Sequence, residues 1–89
     1  MEKTKRRNLK KEANLIKEKL IIGKNGIDEK VIGAIDELLK KDELVKIKVL
    51  NNNLDDRKDL LNEIIESTDS EYVDQIGNKL VIYREKEEE

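Results

Sequence analysis

The residues in this chain best suited to chemistry are Gly23, Lys24, Asn25 and Gly26. A short apolar run, Leu20-Ile21-Ile22, leads into them, and an amphipathic pattern beginning at Ile27 follows at once. Glycine has no Cβ to hold a ligand away, so two glycines around a basic and a polar residue let the main chain approach something large and negative. A helix starting directly after such a loop would add unpaired N–H groups and the positive end of its dipole. The chemistry this arrangement suits is the seating of a polyanion, and an RNA phosphate backbone is the expected ligand. Asn-Gly is also a common turn pair, and the loop read alone is more often a plain turn. It is too short for a nucleotide-hydrolysing phosphate loop, and no Lys-Ser or Lys-Thr ends it.

Charge is the second consideration. The 89 residues carry a net charge of −2, which at first sight argues against nucleic acid. The distribution reverses that view. Residues 1–24 hold nine cations (Lys3, Lys5, Arg6, Arg7, Lys10, Lys11, Lys17, Lys19, Lys24) against three anions (Glu2, Glu12, Glu18), a local +6 that leaves −8 for the rest. Phosphate responds to the local field more than to the total. Leu9, Ala13, Ile16 and Leu20 fall within roughly 40° of one another on a helical wheel. Arg6, Lys17, Lys10, Lys3, Arg7 and Lys11 fan out from about 60° to 200°. Arg6, Arg7, Lys10 and Lys17 are therefore candidate phosphate contacts beside the apolar seam. As a rule such a stripe is only a solvated helix face.

The elements that must position these groups follow from periodicity. Residues 4–18 are expected to form a helix and 19–22 a first strand. Asp28 is placed to cap a second helix running to about Lys41, with Val31, Ile32, Ile35, Leu38 and Leu39 as its buried stripe. Gly33 inside it costs about 1 kcal/mol against alanine and would permit close packing on a sheet. Residues 43–50 alternate, with Val45, Ile47 and Val49 on one side and Lys46 and Lys48 on the other, giving a second strand. After a loop at 51–53, Asp55 or Asp56 is expected to cap a third helix carrying Leu60, Leu61, Ile64 and Ile65 inward. Strands at 72–76 and 79–84 are joined by the tight turn Gly77-Asn78. Lys46, Lys48 and Arg84 form a second candidate patch if they share an exposed sheet face. Residues 1–84 make one domain, and 85–89 are a charged tail.

The order α-β-α-β-α-β-β contains two strand-helix-strand units, which imply parallel pairs with right-handed crossovers. A second crossover that skips one place leaves a gap for the last strand. The expected fold is a single small α/β (α+β) domain with a four-stranded mixed sheet in the order 1-2-4-3. The first helix should pack on the sheet edge or the other sheet face.

Several functions are disfavoured. No histidine or cysteine exists to act as base, nucleophile or thiolate ligand, so no enzyme, metal site or cofactor is expected. Clustered Glu87 to Glu89 would hold a metal only weakly. Without cysteine, a membrane span or a signal-peptide pattern, a cytoplasmic protein is expected. Tyr72 and Tyr83 are the two aromatic residues, so base stacking contributes little and binding should rest on backbone and shape.

Taken together, Arg6-Arg7-Asn8-Leu9 with Ala13, Ile22-Gly23-Lys24-Asn25-Gly26, Val31-Ile32 with Ile35-Asp36, and the run from Glu43 to Val49 form a recognisable series. Asp56-Arg57-Lys58, Gln75-Ile76-Gly77 and Leu80-Val81-Ile82-Tyr83-Arg84 complete it. In this order the chain resembles the YhbY family, a stand-alone form of the CRM (chloroplast RNA splicing and ribosome maturation) domain. The resemblance implies a fold related to the C-terminal domain of translation initiation factor three. It also implies binding to ribosomal RNA in precursors of the large ribosomal subunit, through the loop at Gly23, Lys24, Asn25 and Gly26. DNA and membranes are not expected partners, and a monomer is the default state. The competing expectation is a protein-interaction module that docks on a ribosomal protein or assembly factor.

Overall fold

The computed structural model describes residues 2–24, 26–50 and 54–85. Its elements are α1 (Lys3–Ala13), β1 (Leu20–Ile22), α2 (Glu29–Asp42), β2 (Leu44–Val49), α3 (Leu54–Thr68), β3 (Glu71–Ile76) and β4 (Lys79–Tyr83). One sheet runs in the order β1-β2-β4-β3, with β1 parallel to β2 and the other neighbours antiparallel. This is the order expected from the crossover rule. Asn25, the loop at 51–53 and tail residues 86–89 lie outside the described residues, as does the Asp55 side chain.

Alternation along β2 sorts the molecule into two cores. Val45, Ile47 and Val49 face one way and meet Ile35 and Leu39 of α2, Leu61 and Ile64 of α3, and Ile22, Leu80 and Ile82 of the flanking strands. Val31, Ile32, Leu38 and Ile65 pack partly buried against the same cluster. Every residue expected in the main core is therefore in it. Leu44 faces the other way and joins Leu9 and Ala13 of α1 with Val73, Val81 and Tyr83. So α1 lies on the sheet face opposite α2 and α3.

α1 stops at Ala13, five residues short of the expected end. Asn14 already donates its N–H to the carbonyls of Lys10 and Lys11 in a closing turn. The chain must then cross from the helix to the sheet edge, where Lys19 N–H meets Lys46 O at 2.9 Å. The apolar periodicity continued past the true end because its last two positions serve different cores. Ile16 packs beneath α1, whereas Leu20 packs on the α2/α3 side. α3 begins at Leu54, so Asp55 and Asp56 stand in its first turn rather than at its cap.

Gly33 does not serve close packing. It is exposed, and a Cβ built on it would meet nothing within 4 Å. It borders a groove between α2 and α3 lined also by Ile32, Asp36 and Glu63. Gly33→Ala should therefore raise stability by about 0.5–1 kcal/mol, since it adds helix propensity without a clash. Urea unfolding of the two proteins side by side checks this.

Candidate nucleic-acid interface

The glycine loop leaves the end of edge strand β1. Gly26 N–H reaches back to Gly23 O at 3.2 Å, and Gly26 has φ +82°, a region open to glycine at little cost. Ile22 on one side and Ile27 on the other are held in the main core, so the ends of the loop are fixed. Between them Gly23, Lys24 and Gly26 are exposed, and a Cβ on either glycine would find open space. Asn25 lies outside the described residues.

The start of α2 is less available than the sequence suggests. Asp28 accepts Val31 N–H on its own carboxylate at 2.9 Å, and Ile32 N–H bonds the Asp28 carbonyl. An anion of the chain thus already occupies part of this positive helix end. The Gly26 N–H, expected to meet phosphate, is likewise spent on Gly23 O in the turn; the Lys24 N–H and side chain remain as the described binding groups.

The β3–β4 turn stands at the same end of the sheet. Val49 N–H bonds Asn78 O at 2.7 Å, Leu50 N–H bonds Ile22 O at 3.0 Å, and Arg57 Nη1 donates to Gly77 O at 2.7 Å. Arg57 is thereby spent on the scaffold.

The cations of α1 lie elsewhere. Lys5 Nζ sits 4.7 Å from the Tyr83 ring centre, and the Arg6 guanidinium 5.9 Å from that of Tyr72. Contact with Tyr83 first, then Glu85 and Glu71, hold the Lys5 ammonium above its usual range. Because Arg6 reaches Tyr72 on β3, the flank carrying Arg6 and Lys10 follows the β3 edge. The glycine loop follows β1, the other edge. The N-terminal half of α1 also overlies the Tyr83 end of the sheet, whereas the loop is at the Val49 end. Five residues along β2 and three strand spacings across make these corners roughly 20 Å apart. Helix and loop therefore do not form one cradle. Arg7 and Lys10 are exposed on α1, and Arg6 is half-buried there with its Nε unpaired; Lys17, expected on the same stripe, is exposed but lies past the helix end, in the segment leading to β1.

Two expected contacts are structural. Lys46 is buried under α1, 7% exposed, and its Nζ donates to Ala13 O at 3.1 Å. It cannot meet RNA while α1 is docked, and instead it satisfies the end of that helix. Arg84 follows Leu80 and Ile82 on the opposite face of β4. Its Nη1 donates to Asp36 Oδ1 and Thr68 O, both at 2.7 Å, and its Nη2 to Asp36 O at 3.1 Å. So Lys46, Lys48 and Arg84 make no common patch; Lys48 alone of the three is half-exposed and open. Sequence pattern missed this because alternation gives a face, and not what covers it. Nor did it show the ring contacts of Lys5 and Arg6, which depend on α1 crossing the sheet.

The fold and this site together define a small α/β domain with a bare glycine loop at one sheet corner and a basic helix across the far face. The chain belongs to the CRS1 / YhbY (CRM) domain family, whose model matches residues 1–84. It is 36% identical over 67 residues to Probable RNA-binding protein YqeI of Bacillus subtilis, a match covering 75% of this chain and 70% of that one. It is 35% identical to an RNA-binding protein of Haemophilus influenzae, covering 78% and 70%. The solution structure of the hypothetical protein SAV1595 from Staphylococcus aureus superposes with a TM-score of 0.84 at 45% identity, over 96% of this chain and 88% of that one.

Removing the buried ammonium tests its structural role. Lys46→Ala should cost about 2–4 kcal/mol, from lost stem burial and an unsatisfied helix-end carbonyl, by denaturant unfolding. The Arg84–Asp36 pair predicts an acid dependence. Arg84 first, then Lys40, hold the Asp36 carboxyl below the usual range. Its contribution is full above the unfolded-chain value of about 4 and fades as pH falls through the lower folded value. The stability gap between wild type and Arg84→Met should narrow from pH 6 to pH 3.

Proposed function

We propose that this chain is a non-catalytic, cytoplasmic RNA-binding protein that associates with ribosomal RNA in precursors of the large ribosomal subunit. Family membership and RNA-binding relatives support the ligand class. The observation that carries the site is the glycine loop, anchored in the core at both ends, with Gly23 and Gly26 both facing open space. The Lys24 N–H meets a phosphate oxygen there, and the Lys24 side chain adds charge. Arg7 and Lys10 on α1 extend the contact over a second, separate area, and Lys17 adds an exposed cation in the segment before β1. Arg6 joins them from its seat against Tyr72. Lys46 and Arg84 take no part, being spent inside the fold. Recognition is by backbone and shape with little base readout.

Titration of large-subunit ribosomal RNA fragments at 50 and 200 mM salt tests this. Affinity should fall steeply with salt, as phosphate contacts require. Lys24→Glu should weaken binding at least tenfold with unchanged folding, and Arg7→Ala/Lys10→Ala should weaken it and flatten the salt slope. No salt-dependent RNA binding would end the proposal. Intact RNA affinity in Lys24→Glu with lost association to ribosomal particles would instead assign the loop to a protein partner.

A further inference from the structure

Beyond the end of α1 a strip of the sheet lies bare. Ile21 stands opposite Lys48, Lys48 opposite Lys79, and Lys79 opposite Ile76. Directly paired residues share a sheet face, so these four side chains form one row across all four strands. It is the face that α1 covers higher up, since Lys46 lies two residues from Lys48. The row spans about 14 Å, three strand spacings. Ile21 is 61% exposed and Ile76 41%, and the two lysines are half-exposed.

For a row that only faces water this is a poor choice of residues. Like charges directly opposite destabilise a strand pair, and exposed isoleucines on both edge strands invite unwanted pairing. Compensation within the chain is partial. Glu18, from the segment between α1 and β1, approaches Lys79 Nζ at 3.1 Å. Its carboxyl is held below the usual range by its own backbone N–H first, then Lys79, with Lys46 adding a smaller effect. Lys48 has no hydrogen-bond or ion-pair partner among the described residues. Among the described residues, Lys46 on this face is satisfied by Ala13 O and Lys79 by Glu18, and Lys48 is left without either. The next carboxylate along β3, Asp74, accepts the Gln75 N–H.

The position of the row adds meaning to its composition. Ile21 is two residues before Gly23, and Ile76 adjoins Gly77 of the hairpin turn, so the row borders the glycine loop at one edge. At the other edge it meets β3, along which the Arg6–Lys10 flank of α1 lies. The row carries the surface from the glycine loop to the Ile76 end of β3, four residues along that strand from the Tyr72 contact of Arg6.

We infer that the Ile21–Lys48–Lys79–Ile76 row is a seat for an RNA strand, with a phosphodiester between Lys48 and Lys79 and sugar or base faces against the two isoleucines. Glu18 holds Lys79 when the seat is empty and competes with the phosphate. This rests on the RNA-binding reading and names the path of the strand, from the glycine loop across the open end of the sheet to the Ile76 end of β3.

Fluorescence anisotropy with a labelled single-stranded U12 oligonucleotide, at several salt concentrations, tests the seat. Lys48→Ala/Lys79→Ala should weaken binding about tenfold or more and reduce the salt slope by about 0.7, the value for one neutralised phosphate on a single strand. Its melting temperature should change little, because relief of the like-charge pair offsets loss of the Glu18–Lys79 pair. Glu18→Gln should tighten binding about threefold, since Lys79 is released; a purely structural ion pair would lower the melting temperature and leave affinity unchanged. Wild-type affinity in the double lysine variant, with binding lost in Lys24→Glu, overturns the seat and leaves the RNA reading intact. Wild-type protein that binds neither U12 nor ribosomal RNA overturns both. Retained RNA affinity with lost association to ribosomal particles assigns the row to a protein partner and also overturns the seat.

Discussion

One ammonium group sets much of the surface. An unpaired charge sealed from water costs several kcal/mol, so Lys46 beneath α1 must find an acceptor. It finds the Ala13 carbonyl, one of those a helix leaves open at its end. That bond marks where α1 stops. Had the helix continued to residue 18, it would have covered the row at Lys48 and Lys79 and carried the chain off the β1 edge. The stopping point decides how much of the sheet is core and how much is surface.

The two glycine turns and the clamped side chains complete the division of labour. At one end of the sheet, main-chain bonds among β1, β2 and the hairpin turn leave the glycine loop free to face outward. At the other end, Arg84 ties β4 to both α2 and α3. Charge is sorted along with packing. Exposed and half-exposed cations are found on α1, at the loop and in the open row, and also at Lys30 and Lys41 of α2 and Lys58 of α3. Arg57, Arg84 and Lys46, equally basic in sequence, are consumed by carbonyls and a carboxylate of the chain itself.

The strand order and main core were legible because they follow from local rules. Alternation at Val45, Ile47 and Val49 and the 3.6-residue stripes on α2 and α3 specify a face each, and crossover handedness with one skipped place gives the strand order. The site was legible only at its loop, where Gly23 and Gly26 announce an unusual backbone. The fate of the lysines was not. Lys46 and Lys48 are two residues apart on one face, yet one is sealed and one is open, because α1 ends between them. No periodicity within β2 contains that fact. Arg84 was misplaced for a related reason: reading it with Lys46 and Lys48 required the sheet register, which pairs Lys46 with Val81 and so puts Arg84 on the opposite face.

The unequal size of the two hydrophobic layers has a dynamic consequence. Ten buried residues knit α2, α3 and the sheet together, and Arg84 pins the last strand to both helices. α1 contributes two of the six buried residues on its side and is fastened at its end by Lys46. The two layers therefore differ in cohesion, and amide protons of α1 would exchange with solvent through a cheaper opening than those of β2 or β4.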